Sequence, residues 1–537
     1  MNLLKLCGIV VALLAGLPAA AQTPALPAPA ASPSPPFRLA GLDSVVAFAQ
    51  REYKVPGIAV AVVKDGKILV AKGYGVRSLA TKEPVDANTL FGIASNTKAF
   101  TAAALGLLVD EGKLRWDDKL TDYIPEFKLY DPYATAEFTV RDMLTHRSGL
   151  APYAGDLMQW PDSTTFTLPE ILHNLRYLKP ASSFRTQFAY DNNMYLIAGE
   201  LVRRLAGQSW NDFVEARLLR PLGMARTATS FKRLPDPTNA ALPHAEVDGR
   251  LQPLAREEMP LLDPAGGMWS SVADMSRWAM MLLGGPGAPT PLLKPATQRE
   301  LWTPQTLQKS YPFHYRTHFS AYGLGWFLRD VQGYLEASHT GGLAGMVSEV
   351  TLLPEQHLGI IVLTNQEEGL AFSTISAYLE DAVLGLPAAP LLTAAQAKMM
   401  HDYYAERDKA TAALWKQVTL AQKAAPKRPN YAPLAGRYHD AWLGDLTLTT
   451  QGPQLWLRVA RSPRLVGEVL PYRGTTYVVR WRDRSLRADA FASFAFDPQG
   501  QATGFKLKAI SEQTDPSFDF EDLDVQRVAE PAASTKP

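Results

Sequence analysis

Residues 57–76, GIAVAVVKDGKILVAKGYGV, hold two apolar runs separated by Asp65-Gly66. An Asp-Gly pair between β-prone runs predicts a hairpin, because both turn positions favour left-handed backbone. A helix is predicted before it over 39–53 and another after it over 96–112, the first of several long helical stretches. The segment AFTAAALGLLV within the second is apolar nearly all round, which describes a buried helix. Strand patterns return at 333–365, where YLEASHTGG, GMVSEVTLLP and LGIIVLTNQ predict three antiparallel strands. A helix over 372–386 closes this part. Strands at both ends of a helical middle imply one sheet assembled from the two ends of a single α+β domain, residues 37–390.

Beyond Pro390 the pattern changes. Residues 391–428 are rich in Ala, Lys, Gln and Met and predict a helical connector. Over 429–528 the runs GDLTLTT, QLWLRV, TTYVVRW, FASFAF and GFKLKAI alternate at regular spacing, which predicts an all-β barrel or sandwich. Trp442, Trp456, Tyr477 and Trp481 fall in this region, where alternating aromatics form either core or a binding surface. Residues 529–537 form a tail, and no repeat of solenoid period occurs.

Composition narrows the function classes. The chain has 537 residues, 47% hydrophobic and 20% charged, with a formal net charge of +1. That balance is ordinary for a globular protein and gives no electrostatic case for nucleic acid or an anionic membrane. Lys5, an apolar run from Leu6 to Leu17 and Pro18-Ala19-Ala20-Ala21 describe a secretory signal peptide over 1–21. The run is too short to span a bilayer, so no integral membrane segment is expected after cleavage. Residues 22–36, QTPALPAPAASPSPP, predict an extended linker. The single cysteine, Cys7, lies inside the signal, so the mature chain would have no disulfide, thiol nucleophile or cysteine metal ligand. A periplasmic or secreted location follows.

Candidate chemistry begins at Ser95-Asn96-Thr97-Lys98, at the start of the buried helix. Residues i and i+3 share a helix face, so the Ser95 hydroxyl and the Lys98 amine can meet. Burial lowers a lysine pKa toward the working pH, and a neutral amine can take the serine proton. The simpler reading is Ser95 as an N-cap. Tyr190-Asp191-Asn192 precedes a helix predicted over 193–205; a tyrosine can carry protons and an amide can orient a carbonyl or a lysine, or the segment merely caps the helix. His339-Thr340-Gly341-Gly342 ends a predicted strand, where glycines admit close backbone approach or simply turn the chain.

In this order, S-x-x-K, Y-x-N and H-T-G resemble the serine β-lactamase and penicillin-binding-protein superfamily, in the branch of class C β-lactamases, D-aminopeptidases and related esterases. MLTHRSGL (143–150) and DPAGGMWSSVADMSRW (263–278) resemble further segments of that branch. The resemblance spans roughly 40–385 and implies a β-lactamase/transpeptidase-like fold, an antiparallel sheet with helices on both sides. It implies Ser95 as nucleophile, Lys98 and Tyr190 as base and proton shuttle in an order the motif leaves open, and Asn192 as their orienter. His339, Thr340, Gly341 and Gly342 would bind substrate, with the N–H groups of Ser95 and Gly342 as oxyanion hole. No metal or organic cofactor is implied. The C-terminal region resembles the lipocalin-like domain appended to several such hydrolases, where it borders the cleft, limits substrate size or supports oligomers.

His339 departs from the usual lysine, and a histidine is charged only part of the time near neutral pH. This weakens the β-lactamase reading and favours the esterase or peptidase relatives. The leading reading is an exported serine hydrolase of amide or ester bonds in small peptides or related acyl compounds, with a β-lactamase or a short-chain carboxylesterase as alternatives. A silent protein that holds peptidoglycan fragments is the non-enzymatic alternative. His314 and His318 in HYRTH have i, i+4 spacing, yet Pro312 and the lack of an acidic neighbour argue against a metal site. His146 reads as a structural hydrogen-bonding histidine, and no G-x-S-x-G occurs. Loops 150–185 and 225–262 should set specificity.

Overall fold

The computed structural model describes residues 39–310, 314–386, 390–424, 426 and 429–528. The expected signal, linker and tail lie outside the described residues. An eight-stranded sheet, antiparallel throughout, forms the framework of the first domain. Its strands are β1 Gly57–Lys64, β2 Lys67–Gly75, β3 Thr306–Gln308, β4 Ser320–Tyr322, β5 Phe327–Val331, β6 Tyr334–Leu343, β7 Met346–Leu353 and β8 Leu358–Thr364. The spatial order is β2-β1-β8-β7-β6-β5-β4-β3, so strands from both ends of the domain do join at β1 and β8. Their register runs from Ile58 opposite Thr364 to Lys64 opposite Leu358. The hairpin turn holds Asp65 at φ 51° and Gly66 at φ 71°, the left-handed pair the sequence predicts.

Central strands are covered on both faces. Ile58, Val60 and Val62 of β1 face α1 Leu42–Glu52 and, later in the chain, helix Leu370–Leu384. Ala59, Ala61 and Val63 face the other way, into the main core around helix α2 Thr97–Asp110. A strand buried on both sides reads as a continuous apolar run, which β1 does. Phe100 of α2 stacks on Trp278 of helix Val272–Leu283, with ring centroids 4.1 Å apart. That contact anchors the helix carrying the S-x-x-K motif against the helix layer behind the sheet.

Helix Pro390–Ala424 follows as the connector. Its Leu414, Trp415 and Val418 pack on Val478 and Ile510 of the second domain. That domain is a closed eight-stranded barrel, β9 Gly436–Asp440 through β16 Val525–Arg527, with neighbouring strands antiparallel. Five of the eight were legible as alternating runs. Of the others, β9 and β16 are short, while Ser462–Arg473 contains Pro463, Gly467 and Pro471, which interrupt its pattern. Trp442 and Trp481 are buried in the core, and Trp456 and Tyr477 are half-buried. No helix among the described residues is long and apolar enough to cross a membrane.

The stack that anchors α2 is testable. Phe100→Ala removes a fully buried ring, and we expect a loss of about 3–5 kcal/mol, read by chemical denaturation. A loss below about 1 kcal/mol would show that the helix is held elsewhere.

Candidate active site

Ser95 lies in a short 3₁₀ turn, Ala94–Asn96, that leads into α2. No side chain caps the helix start, so the capping reading of Ser95 is not what this chain uses. Ala94 holds φ at 48°, an uncommon left-handed conformation for a residue with a Cβ. The turn is tied down around it: Ile93 N–H donates to Met268 O at 2.9 Å, and Ser348 Oγ donates to Ile93 O at 2.8 Å. Asn96 Nδ2 donates to the same Ser348 at 2.9 Å.

Lys98 is fully buried. Its Nζ lies 3.0 Å from Ser95 Oγ and donates to Asn192 Oδ1 at 2.8 Å and Ala265 O at 2.9 Å. Burial lowers its pKa to about 7, against the opposing pull of the Asp156 and Asp191 charges. Two of the three partners can only accept, which occupies both hydrogens of a neutral amine. The remaining lone pair is then left for the Ser95 hydroxyl proton.

Tyr190 lies 4.8 Å from Lys98 Nζ by its ring centroid, and Ser95 is among the groups that act on its hydroxyl. Burial raises its pKa well above the ordinary value, so it stays a neutral phenol. Asp191 caps: its Oδ1 accepts from Met194 N–H at 3.3 Å, while the neighbouring Asn192 turns to Lys98. Both readings of the Y-x-N segment are therefore present in adjacent residues. His146 is structural, accepting from Asp191 N–H at Nδ1 at 3.0 Å.

His339 corrects an expectation. Its Nδ1 donates to Thr340 O at 2.6 Å, and its Nε2 accepts from Tyr322 Oη at 2.8 Å. Burial, reinforced by the nearby Lys98 charge, lowers its pKa to about 3. It is neutral across the physiological range rather than partly charged. Thr340 and Gly342 line the cleft, while Gly341 is buried against the turn that carries Ser95. A Cβ at Gly341 would sit 2.2 Å from Ile93 O and 2.5 Å from Ser348 Oγ, so glycine is what allows β6 to run against the turn. His314 and His318 each have an acidic partner the local sequence did not reveal, Asp381 at 2.7 Å and Asp330 at 2.6 Å. These are separate His–Asp contacts, and no metal-holding cluster exists among the described residues.

The cleft above Ser95 has a volume of about 420 Å³. Loop 150–185 supplies Tyr153, Asp156, Gln159 and Trp160, and loop 225–262 supplies Glu257 and Leu262. The barrel supplies a further part of the wall through 485–487 and 515–518. Arg487 of the barrel pairs with Glu367 at 2.8 Å, and Arg464 bonds Asp162, Glu257 and Asp483. No local motif marks these residues, because each gains its place from the docking of two domains.

The fold and this serine–lysine constellation define the β-lactamase/transpeptidase-like serine hydrolase superfamily. Residues 42–384 match the Beta-lactamase family, and the chain belongs to it. Residues 420–527 match a Domain of unknown function, DUF3471. The chain is 29% identical over 364 residues to the unguisins hydrolase ungD of Aspergillus violaceofuscus, covering 63% of each. It thus spans less than two thirds of the length of that curated relative. The octameric penicillin-binding protein homologue of Pyrococcus abyssi shares the fold at TM-score 0.57 and 21% identity, covering 88% of this chain and 98% of that one. A class C beta lactamase of Rhodobacter sphaeroides does so at 0.52 and 19%, covering 64% and 99%.

Gly341→Ala tests the close approach of β6. Displacing that strand from Ser95 should slow fluorophosphonate labelling by about 10²-fold while the fold survives. Labelling at the wild-type rate would show that the turn tolerates the methyl group.

Proposed function

We propose that the protein is an exported serine hydrolase that opens amide or ester bonds of small peptides or related acyl compounds through an acyl-enzyme on Ser95. The observation that carries this reading is the neutral-prone Lys98 amine 3.0 Å from Ser95 Oγ at the base of the cleft. Ser95 Oγ attacks the substrate carbonyl carbon as its proton passes to the Lys98 lone pair. The N–H groups of Ser95 and Gly342 receive the oxyanion. On collapse the C–N or C–O bond breaks, and the proton reaches the leaving group through the Tyr190 hydroxyl. Water then repeats the sequence on the ester and frees Ser95. Tyr190 is too strongly held in its protonated form to act as the resting base, so Lys98 takes the first proton.

Substrate class follows from charge. The cleft carries Asp156, Glu257, Glu367 and Asp515. Glu367 is already paired with Arg487, and Glu257 holds Arg464 through Oε1 while its Oε2 has no partner among the described residues. Burial raises Glu257 to about 7 and lifts Asp515 above the usual carboxylate range. A ligand ammonium would restore their charged forms, which supports short peptides with a free amino group. His339 offers no cation for a carboxylate. Arg487 at the cleft wall is the feature that favours the second reading, a β-lactamase, because it could exchange Glu367 for a substrate carboxylate.

A comparison of a D-alanyl anilide, p-nitrophenyl acetate and a chromogenic cephalosporin, with Ser95→Ala as blank, separates these readings. We expect the anilide or ester to lead in kcat/KM and the blank to be inactive. A leading cephalosporin would select the β-lactamase reading, and an active blank would remove Ser95 from the chemistry. In the same assay the rate should fall about tenfold per pH unit below about 7, as Lys98 gains the proton that blocks its lone pair. Lys98→Arg, permanently charged, should lose acylation by at least about 10²-fold at every pH. A flat profile between pH 5 and 8 would exclude Lys98 as the base.

A further inference from the structure

Asn192 can serve Lys98 only while its amide oxygen faces the amine. What holds it so is Asp156, whose Oδ2 accepts from Asn192 Nδ2 at 2.8 Å. The same Oδ2 accepts from Ser517 Oγ of the barrel at 2.9 Å, and Oδ1 accepts from Gln159 Nε2 at 3.1 Å. Every contact of this carboxylate is thus with a donor, although it is 1% exposed. The turn bearing it is gripped from the barrel as well: Asp519 accepts from Gly155 N–H at 2.5 Å and Leu157 N–H at 3.2 Å. Ser517 and Asp156 stand 361 positions apart in sequence.

We propose that Ser517 and Asp156 form a positioning relay in which the barrel hydroxyl orders the Asp156 carboxylate, the carboxylate sets the Asn192 amide, and the amide directs the Lys98 lone pair at Ser95. This inference rests on the hydrolase reading above. Asp156 and Ser517 are positioning residues, since they reach the reacting atoms through Asn192 and Lys98. A protonated Asp156 would present a hydroxyl where Asn192 needs an acceptor, and the amide would lose the bond that orients it. Donation by Ser517 opposes that protonation, which burial favours. The barrel therefore forms part of the base apparatus, in addition to walling the cleft.

The charges around the relay set the signs of its test. Lys98 faces Asp156 and Asp191, which hold its proton on, and His146 and His339, both neutral. Asp156 lies near Tyr153 and Asp519 as well, and burial lifts both above their ordinary values. Removing the Asp156 charge lets Lys98 lose its proton at lower pH. Removing the Ser517 hydroxyl makes Asp156 hold its proton to higher pH.

The experiment measures p-nitrophenyl acetate hydrolysis from pH 5 to 9 by the full chain and by Asp156→Asn, Ser517→Ala, Ser517→Thr and Ser95→Ala, with thermal unfolding of each. Asp156→Asn should cut kcat by about 10- to 100-fold with little change in KM, and its acid limb should move to lower pH. Ser517→Ala should lose about tenfold near pH 6.5 and recover toward pH 9, and Ser517→Thr should restore the rate. If Asp156→Asn does not fold, the two Ser517 variants decide alone. Profiles within about twofold of the wild type, or a Ser517→Thr loss equal to that of Ser517→Ala at every pH, would overturn the relay. A dead Ser95→Ala with normal relay variants leaves the hydrolase reading standing without it. An active Ser95→Ala removes both.

Discussion

The site depends on keeping one amine out of water. Lys98 emerges from the first turn of a helix with almost no solvent contact, compensated by three polar atoms at about hydrogen-bond distance and by the Asp156 and Asp191 charges. A charged ammonium there would forfeit hydration worth several kcal/mol, so the neutral form, which has a free lone pair, gains ground. The surrounding structure is arranged to keep that pocket dry. Helix α2 is apolar on all sides, the Tyr190 and Tyr195 rings lie 4.8 and 5.3 Å from the nitrogen, and the Ala265 carbonyl closes the remaining direction. The same desolvation keeps His339 neutral and Tyr190 protonated, so one physical cause assigns three protonation states.

That common cause explains what was legible in the sequence and what was not. Local features carried through: the Asp-Gly hairpin, the all-round apolar helix and the three strands of 333–365 depend on neighbours in the chain. The S-x-x-K and Y-x-N residues meet as the resemblance implies, with Asn192 on Lys98 and Tyr190 beside Ser95. Features set by distant contacts did not carry through. The charge state of His339 depends on burial and on the nearby Lys98 charge, neither of which its H-T-G neighbourhood reveals. The strands β3 to β5 are three to five residues long, too short to register a period of two. Asp156 sits in GDLMQW, an unremarkable loop, and acquires its role only when Asn192 and Ser517 converge on it.

The two domains are joined by two kinds of contact with different consequences. The apolar cluster around α2 continues without a break into barrel residues such as Phe518 and Phe520, which makes the union stable but not directional. Direction comes from polar contacts. Arg461 pairs with Glu170 at 2.8 Å, Arg464 bridges Asp162, Glu257 and Asp483, and Asp519 receives two backbone N–H groups from the 155–157 turn.

Directional contacts of this kind are expensive to misplace. A buried carboxylate such as Asp519 has no water to fall back on, and a shift of the barrel by an ångström would strand it together with the Gly155 and Leu157 amides. Replacing such groups by apolar ones would often be neutral for stability. Their retention at the rim of the cleft therefore makes more sense as a device for register than for strength. The barrel is held in one orientation, and that orientation places Ser517 under Asp156 and Arg487 over the cleft. A purely greasy interface could bury as much area and still allow the sliding that this arrangement forbids.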